Sequence, residues 1–111
     1  MVFNNPYWSW ATRLDMLAKW LIVHSTVYYE LHDNVVSDKM FDDNSQQFVS
    51  LVDEHKQDFK QTKYYIVMND FDGSTGYDLF RRLRKYDKVE AQKISDTAQY
   101  VLKLAKRRVT V

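Results

Sequence analysis

The chain of 111 residues has no cysteine, one proline and two glycines. Without cysteine there are no disulfides, no thiolate nucleophile and no cysteine-ligated zinc. So few glycines and prolines disfavour a β-rich fold of many tight turns, and a mainly α fold is expected. No apolar run approaches the length of about 18 residues that a membrane span requires. The segment from Met1 to Trp10 has neither a basic leader nor an apolar one, so no secretory signal is expected. Three scattered histidines, His24, His32 and His55, read as helix-face, turn and helix-end residues and not as a metal site. Together these absences predict a cytoplasmic protein with no membrane partner and no required cofactor.

What is present is 45% hydrophobic, 28% charged and 15% aromatic, the profile of a globular chain. The length predicts a single domain over 1–111. A net charge of +1 conceals an asymmetry. Residues 1–80 carry 6 basic and 12 acidic side chains, a net of −6, and residues 81–111 carry 10 and 3, a net of +7. An acidic body and a basic tail are expected mainly to neutralise each other across the fold. The basic cluster Arg81, Arg82, Arg84, Lys85 and Lys88, with Lys103, Lys106, Arg107 and Arg108 later, is the candidate contact for nucleic acid or an acidic partner. Aromatics are sparse within it, which argues against a single-strand binder.

Periodicity organises the rest. Residues 1–8 read as an arm packing through Phe3, Tyr7 and Trp8. From Ser9 to about Glu30, Leu14, Leu17, Leu21, His24 and Tyr28 step by three or four and share a helix face, broadened by Trp20 and Val27. Asp33-Asn34 is turn chemistry, and Ser37 is a good N-cap for a second helix over 38–60. Phe41, Phe48, Val52, His55 and Phe59 form its inner stripe. The two segments make an antiparallel helical hairpin. Tyr64–Met68 is a short continuous apolar run, read as an isolated strand or extended connector. Thr75 and Asp78 suggest the cap of a short helix through Arg84. Asp87 and Glu90 have capping-box spacing for a last helix to about Arg107, with Ile94, Ala98, Val101, Leu104 and Ala105 inside.

The densest polar and aromatic cluster straddles the hairpin turn. Asp38, Phe41 and Asp42 lie at i, i+3, i+4 and face one way, across the turn from Tyr28 and Tyr29. Such an arrangement makes a shallow pocket with aromatic walls and two carboxylates, suited to ribose hydroxyls and a flat cationic heterocycle. The same residues also have a purely structural reading, with Asp38 complementing the helix dipole and the aromatics serving as core.

The run Y-Y-x-L-x-D-N-V-V-S-D-K-M-F-D resembles the N-terminal Ia domain of bacterial NAD-dependent DNA ligases. The resemblance covers about residues 13–59 and includes Asp53-Glu54-His55 near the end of the second helix. It implies a hairpin that recognises the nicotinamide mononucleotide half of NAD, with the binding positions on Tyr28, Tyr29, Asp38, Phe41 and Asp42. The family's second-helix tyrosine is Phe41 here. No adenylation domain is expected in this chain: Asp70-Phe71-Asp72-Gly73 has aspartate where the K-x-D-G motif has its nucleophilic lysine. Without that amine no bond to AMP forms, so the chain is not expected to be an enzyme.

The second half, with D-F-D-G-S-T-G-Y, looks like small ligase-Ia-like proteins of bacteriophages and prophages. That suggests a stand-alone binding protein in a bacterial host. Its partner would be a separate ligase adenylation domain or, if the scaffold is reused as an inhibitor, a host factor such as a defence nuclease. A nucleic-acid-binding accessory is the third reading. The Asp70–Gly76 loop fits neither a phosphatase, which needs a full α/β sheet, nor an EF-hand, since position 6 is Thr75 and position 12 is Arg81. Its glycines read as turn formers.

Overall fold

The computed structural model describes residues 5–109. Among them are six helices and no strand: α1 (Trp10–Tyr29), α2 (Asp38–Glu54), α3 (Lys56–Lys60), α4 (Tyr65–Met68), α5 (Leu79–Tyr86) and α6 (Lys88–Val109). The mainly α expectation holds. Of the predicted arm, Tyr7 is 94% exposed and does not pack, whereas Trp8 is half-buried. Phe3 and the side chain of Arg108 lie outside the described residues. None of the helices is long and apolar enough to cross a membrane.

Local chemistry starts the long helices where the sequence placed them. Ser9 Oγ accepts from the Thr12 amide at 3.2 Å and opens α1. Ser37 Oγ accepts from the Met40 amide at 3.1 Å and opens α2. Asp87 Oδ1 accepts from the Glu90 amide at 3.0 Å and opens α6. Each satisfies an amide that the first turn leaves without a partner. The α1–α2 hairpin is antiparallel, because Trp10 at the start of α1 stacks on His55 after α2, at 3.8 Å between ring centroids. Further along, Trp20 meets Phe41 at 6.1 Å.

α1 is the central element. It buries Leu14, Leu17, Ala18, Leu21, Ile22, Val23 and Val27, and it packs against α2, α3, α5 and α6. A helix surrounded on several sides is apolar over most of its circumference, so the expected single face was too narrow. The polar Ser25 and Thr26 are buried too, and both donate to the Ile22 carbonyl. α6 contributes Ile94 and Ala98 as fully buried positions. Its Val101, Leu104 and Ala105 are half-buried.

Three boundaries differ from the sequence reading. The second helix ends at Glu54 and not at residue 60. His55 leaves helical geometry (φ −129°, ψ 49°), and a new turn, α3, brings Phe59 into the core edge-on to Phe48 at 5.8 Å. Tyr64–Met68 is not extended: α4 is a helical turn whose incoming amides, at Lys63 and Tyr64, donate to the Asp15 carboxylate at 3.1 and 3.2 Å. Tyr64 is buried and donates its hydroxyl to Glu90 at 2.6 Å. These long-range bonds override strand propensity in so short a segment. The expected Thr75–Asp78 cap does not form; α5 begins at Leu79 without a side-chain cap and runs to Tyr86.

Candidate functional site

The hairpin turn, both helix ends beside it and the Asp70–Gly76 loop enclose a cavity of about 270 Å³. All five predicted site residues line it: Tyr28 and Tyr29 from α1, and Asp38, Phe41 and Asp42 from α2. Tyr28, expected on the inner face, is 51% exposed and stands edge-on to Tyr29 at 4.8 Å. The turn that separates the helices is tight. His32 adopts φ +56°, while Leu31 and Asp33 donate their amides to the Thr26 and Val27 carbonyls.

The carboxylates of Asp38 and Asp42 set this cavity apart. Of the 15 acidic residues, all but Asp38, Asp42 and Glu54 have a hydrogen-bond or ion-pair partner among the described residues. Two of the three unpartnered ones therefore share one hollow. No lysine or arginine is among the described residues that line it. Both aspartates are exposed, and carboxylates so placed can accept hydroxyl or N–H donors.

The third wall was not foreseen. Ser74 and Thr75 line the cavity, with the Thr75 hydroxyl 3.0 Å from the Tyr29 hydroxyl. Both glycines are buried and are needed there. Gly73 has φ +86°, and a Cβ on Gly76 would lie 2.9 Å from Ser25 Cβ and 3.4 Å from Phe41 Cζ. The tip of the Phe41 ring thus faces the loop, in space that a tyrosine hydroxyl would compete for. Asp72 accepts from the Ser74 amide and hydroxyl, which hold its carboxyl below the usual range. Arg82 grips Asp70 through two bonds of 2.6 and 2.8 Å and lowers that carboxyl likewise. The glycine pair was the available signal, but only the fold shows where the loop docks.

His24 also lines the cavity and was read simply as a helix-face residue. Its ring lies 4.5 Å from Trp20, its Nδ1 is buried without a partner, and burial lowers its pKa from 6.5. A neutral imidazole is the form this setting favours.

The basic segment divides in two. Arg81 pairs with Glu30 at 3.2 Å, Arg82 with Asp70, and Lys106 with Asp33 at 3.6 Å, so part of it neutralises the acidic body as expected. Arg84, Lys85 and Lys88 have no acidic partner among the described residues. Together with Arg81 they line a groove between α5 and α6 that also contains Phe80, Gln92 and Ser95. Lys103 lies apart, beside Leu102 and Lys106. No group of three potential metal ligands occurs among the described residues.

No protein-family model, curated protein or solved structure matches this chain.

Proposed function

We propose that this chain is a non-catalytic binding protein whose hairpin cavity recognises the nicotinamide and ribose portion of NAD or nicotinamide mononucleotide. The observation that carries the reading is the pair of unpartnered carboxylates, Asp38 and Asp42, in a hollow walled by Tyr28 and Phe41. The pyridinium ring is flat and cationic and suits the aromatic walls; the ribose hydroxyls suit the carboxylates. The resemblance to the ligase Ia hairpin supports the same positions. An all-helical chain, with no strand among its described residues, argues against an adenylation domain. On this reading such a domain, supplied by another chain, is the partner that would close the open side of the cavity.

With one side open, binding is expected near millimolar, or roughly 4 kcal/mol. Asp38→Ala and Asp42→Ala should each weaken it by about 1.5–3 kcal/mol, the worth of a hydrogen bond to a charged group. The experiment is NMR shift mapping with nicotinamide riboside, nicotinamide mononucleotide and NAD. Shifts confined to residues 24–42 and 74–75 are expected. No shift with any of the three at several millimolar, with the fold intact, refutes the reading.

A second reading rests on a separate observation, the unpaired Arg84, Lys85 and Lys88 in one groove. Such a groove suits a run of phosphates, as in a nucleic-acid backbone.

A further inference from the structure

The charge of the α5–α6 groove is of one sign. Arg81, Arg84 and Lys85 reach it from α5 and Lys88 from the start of α6, and no acidic residue is among its described lining residues. Arg81 is held by Glu30, whereas Arg84, Lys85 and Lys88 are exposed and have no acidic partner among the described residues. Fold stability accounts for only part of this cluster. Arg84 and Lys85 lie in the last turn of α5, where the helix dipole favours a cation. Lys88 is the first residue of α6, where the dipole disfavours one, and it adds a like charge to the same groove. A bound anion would offset both penalties.

The rest of the lining narrows what the anion is. A protein partner gains most of its affinity by seating an apolar or aromatic anchor in a pocket. A single strand stacks its bases on exposed aromatic rings. The two apolar residues of the groove serve neither purpose: Ala91 is buried, and Phe80 is half-buried with the Arg84 guanidinium over its ring at 5.8 Å. Gln92 has the side chain suited to a base edge, but its amide donates to Asp96 at 2.9 Å. What remains free are three cations. From these observations we infer that the groove holds the sugar–phosphate backbone of a nucleic-acid duplex, whatever its sequence. The inference rests on the phosphate reading of this groove and narrows it to duplex over single strand and backbone over bases. The acidic body, net −6 over residues 1–80, repels phosphates and leaves this basic face as the place of contact.

The test is an anisotropy titration of the full chain with two DNA duplexes of equal length and unrelated sequence, one of their single strands, and poly-glutamate. At low salt both duplexes should bind, within about twofold of each other. The single strand, with its lower charge density, and poly-glutamate should each bind several-fold more weakly. A fourfold rise in salt should weaken duplex binding by about 40-fold, as expected when about three phosphates are neutralised. Arg84→Lys should bind within about twofold of the parent, because a phosphate accepts either cation whereas a base edge needs the guanidinium fork. The triple change of Arg84, Lys85 and Lys88 to Ala should remove most of the salt dependence; these side chains are exposed, and the amide spectrum checks that the fold is kept. A single strand bound as tightly as the duplex, or one duplex preferred more than tenfold, overturns the inference and leaves the phosphate reading standing. No duplex binding at low salt, poly-glutamate bound as tightly as the duplex, or a triple variant that binds like the parent overturns both.

Discussion

Gly76 is where the loop and the hairpin touch, and replacing it tests whether that contact builds the cavity. A Cβ there would sit 2.9 Å from Ser25 Cβ, 3.1 Å from Leu79 Cδ1 and 3.4 Å from Phe41 Cζ. Carbon atoms in good contact are about 3.5–4.0 Å apart, so the loop must back away from α1 by more than half an ångström. Ser25 is 2% exposed and its Cβ is fixed to the helix backbone, so it cannot yield as a long side chain would. Overpacking of this kind costs about 1–3 kcal/mol, and each kcal/mol lowers Tm by about 4–8 °C in a small domain. The displaced loop should also loosen the Tyr29–Thr75 contact one residue away and weaken any ligand that needs the third wall.

Gly73 supplies the control. Its constraint is the positive φ, and the nearest atom to a Cβ there is the flexible end of Gln46. Asparagine tolerates positive φ better than alanine, so Gly73→Asn should recover part of what Gly73→Ala loses. At position 76 asparagine should be no better than alanine. Urea and thermal melts of the four variants read this directly. A Gly76→Ala protein as stable as the parent would refute the close-packed loop.

Tyr64→Phe removes a buried hydroxyl from the Glu90 carboxylate and should cost about 1.5–3 kcal/mol by denaturant unfolding. Burial pushes the Glu90 carboxyl up, but the Tyr64 hydroxyl and the Lys63 ammonium outweigh it and leave the carboxyl below 4.5. Its stabilisation is therefore complete above about pH 4.5 and is lost as pH falls through the lowered folded value; the variant should lose less on acidification, and an unchanged acid limb would contradict this. For the α5–α6 groove, the triple change of Arg84, Lys85 and Lys88 to Ala should lower the salt slope of duplex binding by about 2–3, as gel-shift titrations would report. An unaltered slope, or no parent binding at low salt, removes the nucleic-acid reading.

The sequence was legible where its signals were local. Ser9, Ser37 and Asp87 each bond an amide three residues ahead; the caps at Ser37 and Asp87 were readable from residue type and spacing, whereas Ser9 was legible only as the place where the apolar periodicity begins. The spacing of Asp38, Phe41 and Asp42 likewise sufficed to put them on one side of the turn with Tyr28. Reading failed where a distant group decided the outcome. α4 looks like a strand until Asp15, far upstream, receives its first amides. The end of α2 falls at His55, which stacks on Trp10 from 45 residues upstream, a contact no local signal shows. The third wall depends on a loop whose threonine meets Tyr29 from 46 residues away.

The charge asymmetry shows how the fold turns a compositional feature into sites. Had the two halves simply cancelled, the structure would pair every base of the tail with an acid of the body. The ion pairs of Arg81, Arg82 and Lys106 reach the end of α1, the loop and the turn between α1 and α2. The ion pairs are largely exposed and add little stability, but they tie together the segments that surround the cavity. The same assignment leaves Asp38 and Asp42 unpaired in one hollow, and Arg84, Lys85 and Lys88 unpaired in another. A chain selected only for stability gains nothing by clustering like charges, because each cluster repels itself. On the proposed reading, two hollows of opposite sign would let the protein hold a cationic ligand at one place and an anionic one at another, and the nicotinamide and duplex titrations test the two sites separately.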